Sequence, residues 1–248
     1  MKPEEFLSKS NKEILSQGQD HSLLANARNL HKEFGMYNYF HHFSWAGLPI
    51  IQAPQDIMQL QELIWDIKPD LIIETGIARG GSLVFYSSLL ELNASCGGPQ
   101  DAEVLGIDID IRVHNRELIE AHAMSKRISM IQGSSIAPDV IQRVETKALG
   151  KQAILVCLDS NHTHDHVLAE LHAYAPLTTC GSYCIVFDTV IDDLPAQLYK
   201  DQPWGKSNNP KTAVREYIKS HPEFIIDKKI DYKLLISAAP DGYLKRVK

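Results

Sequence analysis

The chain has 248 residues, 44% of them hydrophobic and 23% charged, with 31 acidic side chains against 25 basic ones and a net charge of −6. Such a composition belongs to a globular protein long enough to bury a full core. It excludes a dedicated nucleic-acid binder, which is usually basic, and no apolar run reaches the ~18 residues of a membrane span. Residues 1–20 are polar and mixed in charge, unlike a signal peptide. Cys96, Cys157, Cys180 and Cys184 form no C-x-x-C pair. They read as free thiols in a reducing, cytoplasmic setting.

Phe6, Ile14 and Leu15 mark a first amphipathic helix, and residues 23–34 a second. Residues 37–49 are aromatic and histidine-rich without a clear period. These first fifty residues read as a helical, substrate-side extension, and residues 51–248 as the main domain. From Pro54 the pattern is regular. Ile57, Leu60, Ile64 and Ile67 recur at helical spacing, closed by Pro69-Asp70. Residues 71–74 predict a buried strand, and Ser82 the N-cap of a helix through Leu92. Strands follow at 104–108, 128–131, 153–158 and 182–187, alternating with helices at 116–122, 138–149, 164–174 and 210–219. Residues 192–208 form an irregular insertion. Two closing strands are predicted at 224–226 and 234–237, antiparallel to each other. Apolar strands alternating with helices specify a doubly wound α/β fold with a mostly parallel sheet. Its closing hairpin predicts the seven-stranded class I S-adenosylmethionine methyltransferase variant.

In such sheets a ligand sits beyond the carboxyl ends of the strands. The run Glu74-Thr75-Gly76-Ile77-Ala78-Arg79-Gly80-Gly81-Ser82 lies at such an end. It matches neither G-x-G-x-x-G nor a P-loop, since Ser82 stands where the P-loop has lysine. A carboxylate at Glu74 would repel a pyrophosphate and attract the ammonium or sulfonium of S-adenosylmethionine. Thr75, Gly76, Gly80 and Ser82 are therefore assigned to cofactor binding. Asp108 and Asp110 end the next strand, where a carboxylate can accept from ribose hydroxyls. Ser134 follows the third strand and is placed beside the adenine.

The next two strands end in Asp159 and Asp188, which adjacent parallel strands bring together. Paired carboxylates suit Mg²⁺ or Ca²⁺ and also place Asp159 beside the cofactor. His162, three residues after Asp159, is near enough to act as general base. His164 and His166 read as solvated residues on a helix's first turn.

On the segments 72–82, 106–110, 131–135, 158–162, 166–171 and 181–183, the chain resembles the cephalosporin hydroxylase family, over roughly residues 50–246. That family is similar to macrocin- and rhamnosyl-type sugar O-methyltransferases, which use Mg²⁺. The resemblance implies methyl transfer from S-adenosylmethionine to a hydroxyl of a sugar, glycan or glycosylated metabolite. It implies metal ligands at Asp159 and at an acidic pair ending the fifth strand, with His162 at the base position. Here the first member of that pair is Phe187, so only Asp188 remains. No iron facial triad supports the hydroxylation in the family's name. Two alternatives stand beside methyl transfer: hydroxylation of a small secondary metabolite, and a non-catalytic cofactor-binding subunit. The expected partners are a small-molecule or glycan acceptor and further copies of the same chain.

Overall fold

In a computed structural model describing residues 1–248, the alternation read from the sequence becomes one seven-stranded sheet. The amino-terminal part holds α1 (Pro3–Gln17), α2 (His21–Gly35), a 3₁₀ turn (Tyr39–His41) and a short antiparallel hairpin of β1 (Phe43–Trp45) and β2 (Leu48–Ile50). Asp20 starts α2 by accepting from the Leu23 amide at 2.9 Å, the usual N-cap bond. Then come α3 (Pro54–Ile67), β3 (Leu71–Thr75), α4 (Gly81–Ser95), β4 (Glu103–Asp108), α5 (Val113–Ala121) and β5 (Ile128–Gln132). The chain continues through α6 (Pro138–Ala148), β6 (Ile154–Leu158), α7 (His164–Tyr174) and β7 (Tyr183–Val186). It closes with α8 (Pro210–Tyr217), β8 (Phe224–Ile226), α9 (Lys228–Leu234) and β9 (Tyr243–Arg246). Proline opens α1, α3, α6 and α8, where a missing N–H costs nothing.

The strand order is β5-β4-β3-β6-β7-β9-β8. β3, β4, β5, β6 and β7 run parallel to one another, and β9 runs antiparallel to both β7 and β8. The order reverses between β3 and β6, which is the switch point where doubly wound sheets bind ligands. Successive strand residues point to opposite faces, so each strand feeds two cores. Ile72, Val104, Leu155 and Ile185 pack on one side with α3 and α4 residues such as Leu60 and Phe85. Ile73, Leu105, Val156 and Val186 pack on the other with Val144, Leu171 and Val214 from α6, α7 and α8.

Three local expectations are corrected. The second closing strand is β9, not residues 234–237. Ile230 and Leu234 are four residues apart, a helical spacing, and Asp227 caps α9 by accepting from the Lys229 amide. The aperiodic stretch 37–49 runs into the β1–β2 hairpin, which ends at Ile50 and is closed at Gly47 with φ +95°. Ser82 does not cap α4. The N-cap is Gly80, at φ +85°, and Ser82 turns its hydroxyl inward.

Candidate active site

The carboxyl ends of β3 and β6 meet at Gly76. Its amide donates to the Ile107 carbonyl at 2.7 Å, and the Asp159 amide donates to the Thr75 carbonyl at 2.9 Å. Gly76 has φ +90°, and a Cβ there would lie 2.0 Å from the Asp159 carbonyl oxygen. Only glycine lets the two strand ends come this close. Asp108 holds the turn that follows. One of its carboxylate oxygens accepts from the Ile77 and Ala78 amides at 2.8 and 3.2 Å, the other from the Asp110 amide.

Two cavities flank Gly76 and Ser160. A side cavity of about 140 Å³ is bounded by Asp108, Ile109, Ser134, Ser135, Asn161 and His166. A central cavity of about 360 Å³ is bounded by Gln52, Ser82, Asp159, His162 and Asp188 among others. The two share Gly76 and Ser160, so they adjoin at the strand ends.

Beneath these cavities lies Glu74, fully buried. Ser82 donates to its Oε2 at 2.7 Å, while Oε1 has no partner. Burial pushes its carboxyl up to about 8, against the opposing effect of the Ser82 bond. Thr75 is buried in the same layer. Asp110 stands outside both cavities, exposed and 3.8 Å from Arg112.

At the far end of the central cavity, Asp159, His162 and Asp188 offer ligand atoms all within 4.8 Å of one another. Burial, and then the charge of Asp188, drive the Asp159 carboxyl well above the usual carboxylate range. Such a pair gains from a divalent cation, and two carboxylates with an imidazole are a donor set that can hold one. Asp188 is at φ +54°, and its Oδ2 lies 3.2 Å from His162 Nε2. The Trp204 ring meets His162 edge-on at 4.8 Å. Phe187, where the resemblance would place another acid, is 1% exposed and packed in the core.

Several site residues lie outside those assigned from the sequence. Gln52 follows β2 and donates from Nε2 to Asp159 Oδ2 at 3.0 Å; its Oε1 is buried without a partner. His166 is not a solvated residue: its Nε2 is 3.1 Å from Ser135 Oγ and 3.2 Å from Ser160 Oγ. Ser160 in turn donates to the fully buried Glu170 at 2.7 Å. His164 is likewise tied down, by Thr212 at 2.8 Å and Glu216 at 3.3 Å. An H-x-H-x-x-x-E spacing on a helix start was the one available hint, since His166 and Glu170 are four apart and share a face.

The family model described as Rhamnosyl O-methyltransferase/CmcI matches residues 37–247. Rhamnosyl O-methyltransferases of Mycobacterium tuberculosis and Mycobacterium leprae are 27% and 28% identical. The alignments cover 82% of this chain in both cases, and 78% and 82% of the relatives. A structure of CmcI with Mg and SAM superposes with a TM-score of 0.57 at 21% identity, over 84% of this chain and 78% of that one. The fold is therefore that of the S-adenosylmethionine methyltransferases, preceded by a helical extension.

Proposed function

The chain belongs to the Rhamnosyl O-methyltransferase/CmcI family, and on that premise we propose that it transfers a methyl group from S-adenosylmethionine to a hydroxyl of a sugar or glycosylated acceptor. The observation that carries this reading is the pair of adjoining cavities at the switch point, one lined by a carboxylate–histidine cluster and the other by serines.

S-adenosylmethionine, when bound, supplies an electrophilic methyl group with a neutral thioether as leaving group. Ser134, Ser135 and Asn161 line the space suited to the nucleoside. The Gly76 turn and Ser82 face the amino-acid portion, with Glu74 contributing negative charge from below. His162 accepts the acceptor's proton, and Asp188 at 3.2 Å stabilises the imidazolium that results. Gln52 holds the Asp159 carboxylate in place. A divalent cation held by Asp159 and Asp188 would lower the pKa of the acceptor hydroxyl. Positioning the hydroxyl in line with the methyl group supplies the rest of the rate.

The relatives' name makes rhamnose the first acceptor sugar to test. The assay is transfer of labelled methyl to a panel of glycosides, read by mass spectrometry, with and without EDTA. Transfer is expected, lowered by chelation and restored by Mg²⁺, and lowered ~10²–10⁴-fold in His162→Ala, the usual cost of losing a general base. No transfer to any glycoside would reject the reading, and indifference to EDTA would reject its metal part. The chain has no helix long and apolar enough to cross a membrane. A cytoplasmic setting is part of the proposal, supported by four free cysteines. So is self-association, supported by Phe6, Leu7 and Leu15, exposed along α1, and measurable by light scattering.

A further inference from the structure

A third cavity, about 370 Å³, opens beside the central one and shares Phe40, His41 and Asp188 with it. One wall is α2 with the turn that follows; the other is the stretch between Val190 and Tyr199. The first wall is aromatic. The Phe34 ring lies 4.8 Å from Tyr39 and 5.6 Å from Phe40, and His31 stacks on Phe34 at 4.9 Å. Tyr199 faces it from the other side, and its phenol supplies a hydrogen-bond donor. Asn38 and Gln197 add amide groups.

No lysine or arginine borders this cleft, and Arg79 alone borders the central cavity. A phosphate group would find few partners, since phosphates are held by guanidinium and ammonium groups. An uncharged ring with an apolar face and hydroxyls at its edge is well matched. Its polarised C–H bonds meet the negative faces of the aromatic rings. Its hydroxyls meet Tyr199, Asn38 and Gln197.

We infer that this aromatic cleft binds a second sugar ring, joined by a glycosidic bond to the ring methylated at the Asp188 end of the central cavity. This rests on the proposed function and extends it to the acceptor's neighbouring unit. The two cavities share Phe40, His41 and Asp188, so a ring in the cleft lies next to a ring at the Asp188 end of the central cavity. The order of chemistry follows: a glycosyl transfer joins the two rings first, and methylation acts on the assembled, uncharged product.

The test uses the full-length protein and three methyl acceptors for each terminal sugar tried: the methyl monosaccharide, the matching methyl disaccharide, and the phenyl monosaccharide. The disaccharide is expected to exceed the monosaccharide in kcat/KM by about tenfold, equivalent to ~1.4 kcal/mol. Tyr39→Ala and Gln197→Ala should bring that ratio close to one. Calorimetric binding of S-adenosylhomocysteine by the variants reports their folding. A wild-type ratio near one, or a ratio unmoved by both variants, overturns the subsite. A phenyl glycoside that gains as much as the disaccharide overturns the sugar ring in favour of an aromatic aglycone. Absence of transfer to every acceptor overturns the methyltransferase reading, and the subsite with it. Transfer with no preference overturns the subsite alone.

Discussion

Glu74 is the residue on which the cofactor argument turns, and its burial changes what it does. A carboxylate with one oxygen on Ser82 and the other unpartnered keeps its proton to about pH 8. The sulfonium and ammonium of S-adenosylmethionine favour the ionised form. Cofactor binding at neutral pH should therefore expel this proton. Below pH 8 each binding event carries the cost of deprotonation, so affinity should rise with pH and level off near 8. Titration calorimetry at pH 7 in two buffers of different ionisation enthalpy should show proton release. Glu74→Gln keeps the Ser82 contact but has no charge to give; it should abolish the release and flatten the pH profile. At pH 8.5 the variant should bind ~1–3 kcal/mol more weakly, the range for a lost charge-assisted interaction. Equal affinity at both pH values in the wild type would leave Glu74 a structural acid.

The same residue shows what the sequence discloses at this scale. Glu74, Gly76, Asp108, Asp159, His162 and Asp188 end strands or follow them closely, and a strand end is readable from apolar patterning. Their meeting at one edge then follows from topology. Asp108 does something the pattern does not announce. Its oxygens hold the glycine turn, a role set by backbone geometry. Gln52 was silent because its partner, Asp159, is distant in the chain, and His166 showed only its i,i+4 spacing to Glu170, not its contact with Ser135. No local pattern records a contact 107 residues away.

Among the elements, the long periodic helices and the apolar strands were legible, and the short, tertiary-dependent pieces were not. The hairpin β1–β2 has three residues per strand and owes its form to packing, with Leu48 and Ile50 buried. The α9–β9 segment is fixed by one buried acid. Asp56, on the first turn of α3, accepts from Ser237 Oγ at 2.6 Å, the Ala238 amide at 2.7 Å and Tyr243 Oη at 2.7 Å. That tie draws the loop between α9 and β9 onto α3 and sets where β9 begins. Burial raises the Asp56 carboxyl from 3.8 to about 6 despite these donors. The unfolded chain releases this proton above its ordinary pKa, while the folded protein keeps it to about 6. The contribution to stability is thus complete below 3.8 and is lost as pH rises through 6. Over two units this amounts to about 3 kcal/mol. In Asp56→Asn the slope between pH 4 and 6 should lessen by that amount in urea titrations. The variant should also be less stable at pH 4, by ~1–3 kcal/mol, because, whichever way the amide turns, either the Ala238 N–H or the Ser237 and Tyr243 hydroxyls lose their acceptor. An unchanged slope would assign the pH dependence elsewhere.

For the molecule as a whole, the amino-terminal segment divides into two parts that pack on the main body to different degrees. α1 buries no residue. It touches the rest through Gln17, which donates to the Tyr232 carbonyl at 2.6 Å, and through Gly18, which backs onto the Tyr232 ring. The segment from α2 to β2 is different. Ala27 and His31 are buried, Leu48 and Ile50 belong to the core above the sheet, and Trp45 donates to Ser88 on α4 at 3.0 Å. A Cβ at Gly81 would lie 2.2 Å from the Pro49 carbonyl oxygen, so the hairpin rests on the start of α4 itself. That is also the helix that follows the glycine turn. Removing residues 1–17 should cost about 1 kcal/mol or less, since nothing apolar is newly exposed in the core. Removing residues 1–50 uncovers several core side chains at ~1.5–3 kcal/mol each, enough to consume most of a domain's ~5–15 kcal/mol. Circular dichroism in urea should then show a cooperative transition for 18–248 and none for 51–248. S-adenosylhomocysteine should bind the first fragment with nearly full affinity and the second not at all. The aromatic cleft sharpens the contrast, because Phe34, Tyr39 and Phe40 lie in the same stretch. A 51–248 fragment that unfolds cooperatively and binds the cofactor would make residues 1–50 a separable extension. Failure of that fragment would mean that the segment proposed to read the acceptor also holds the glycine turn in shape.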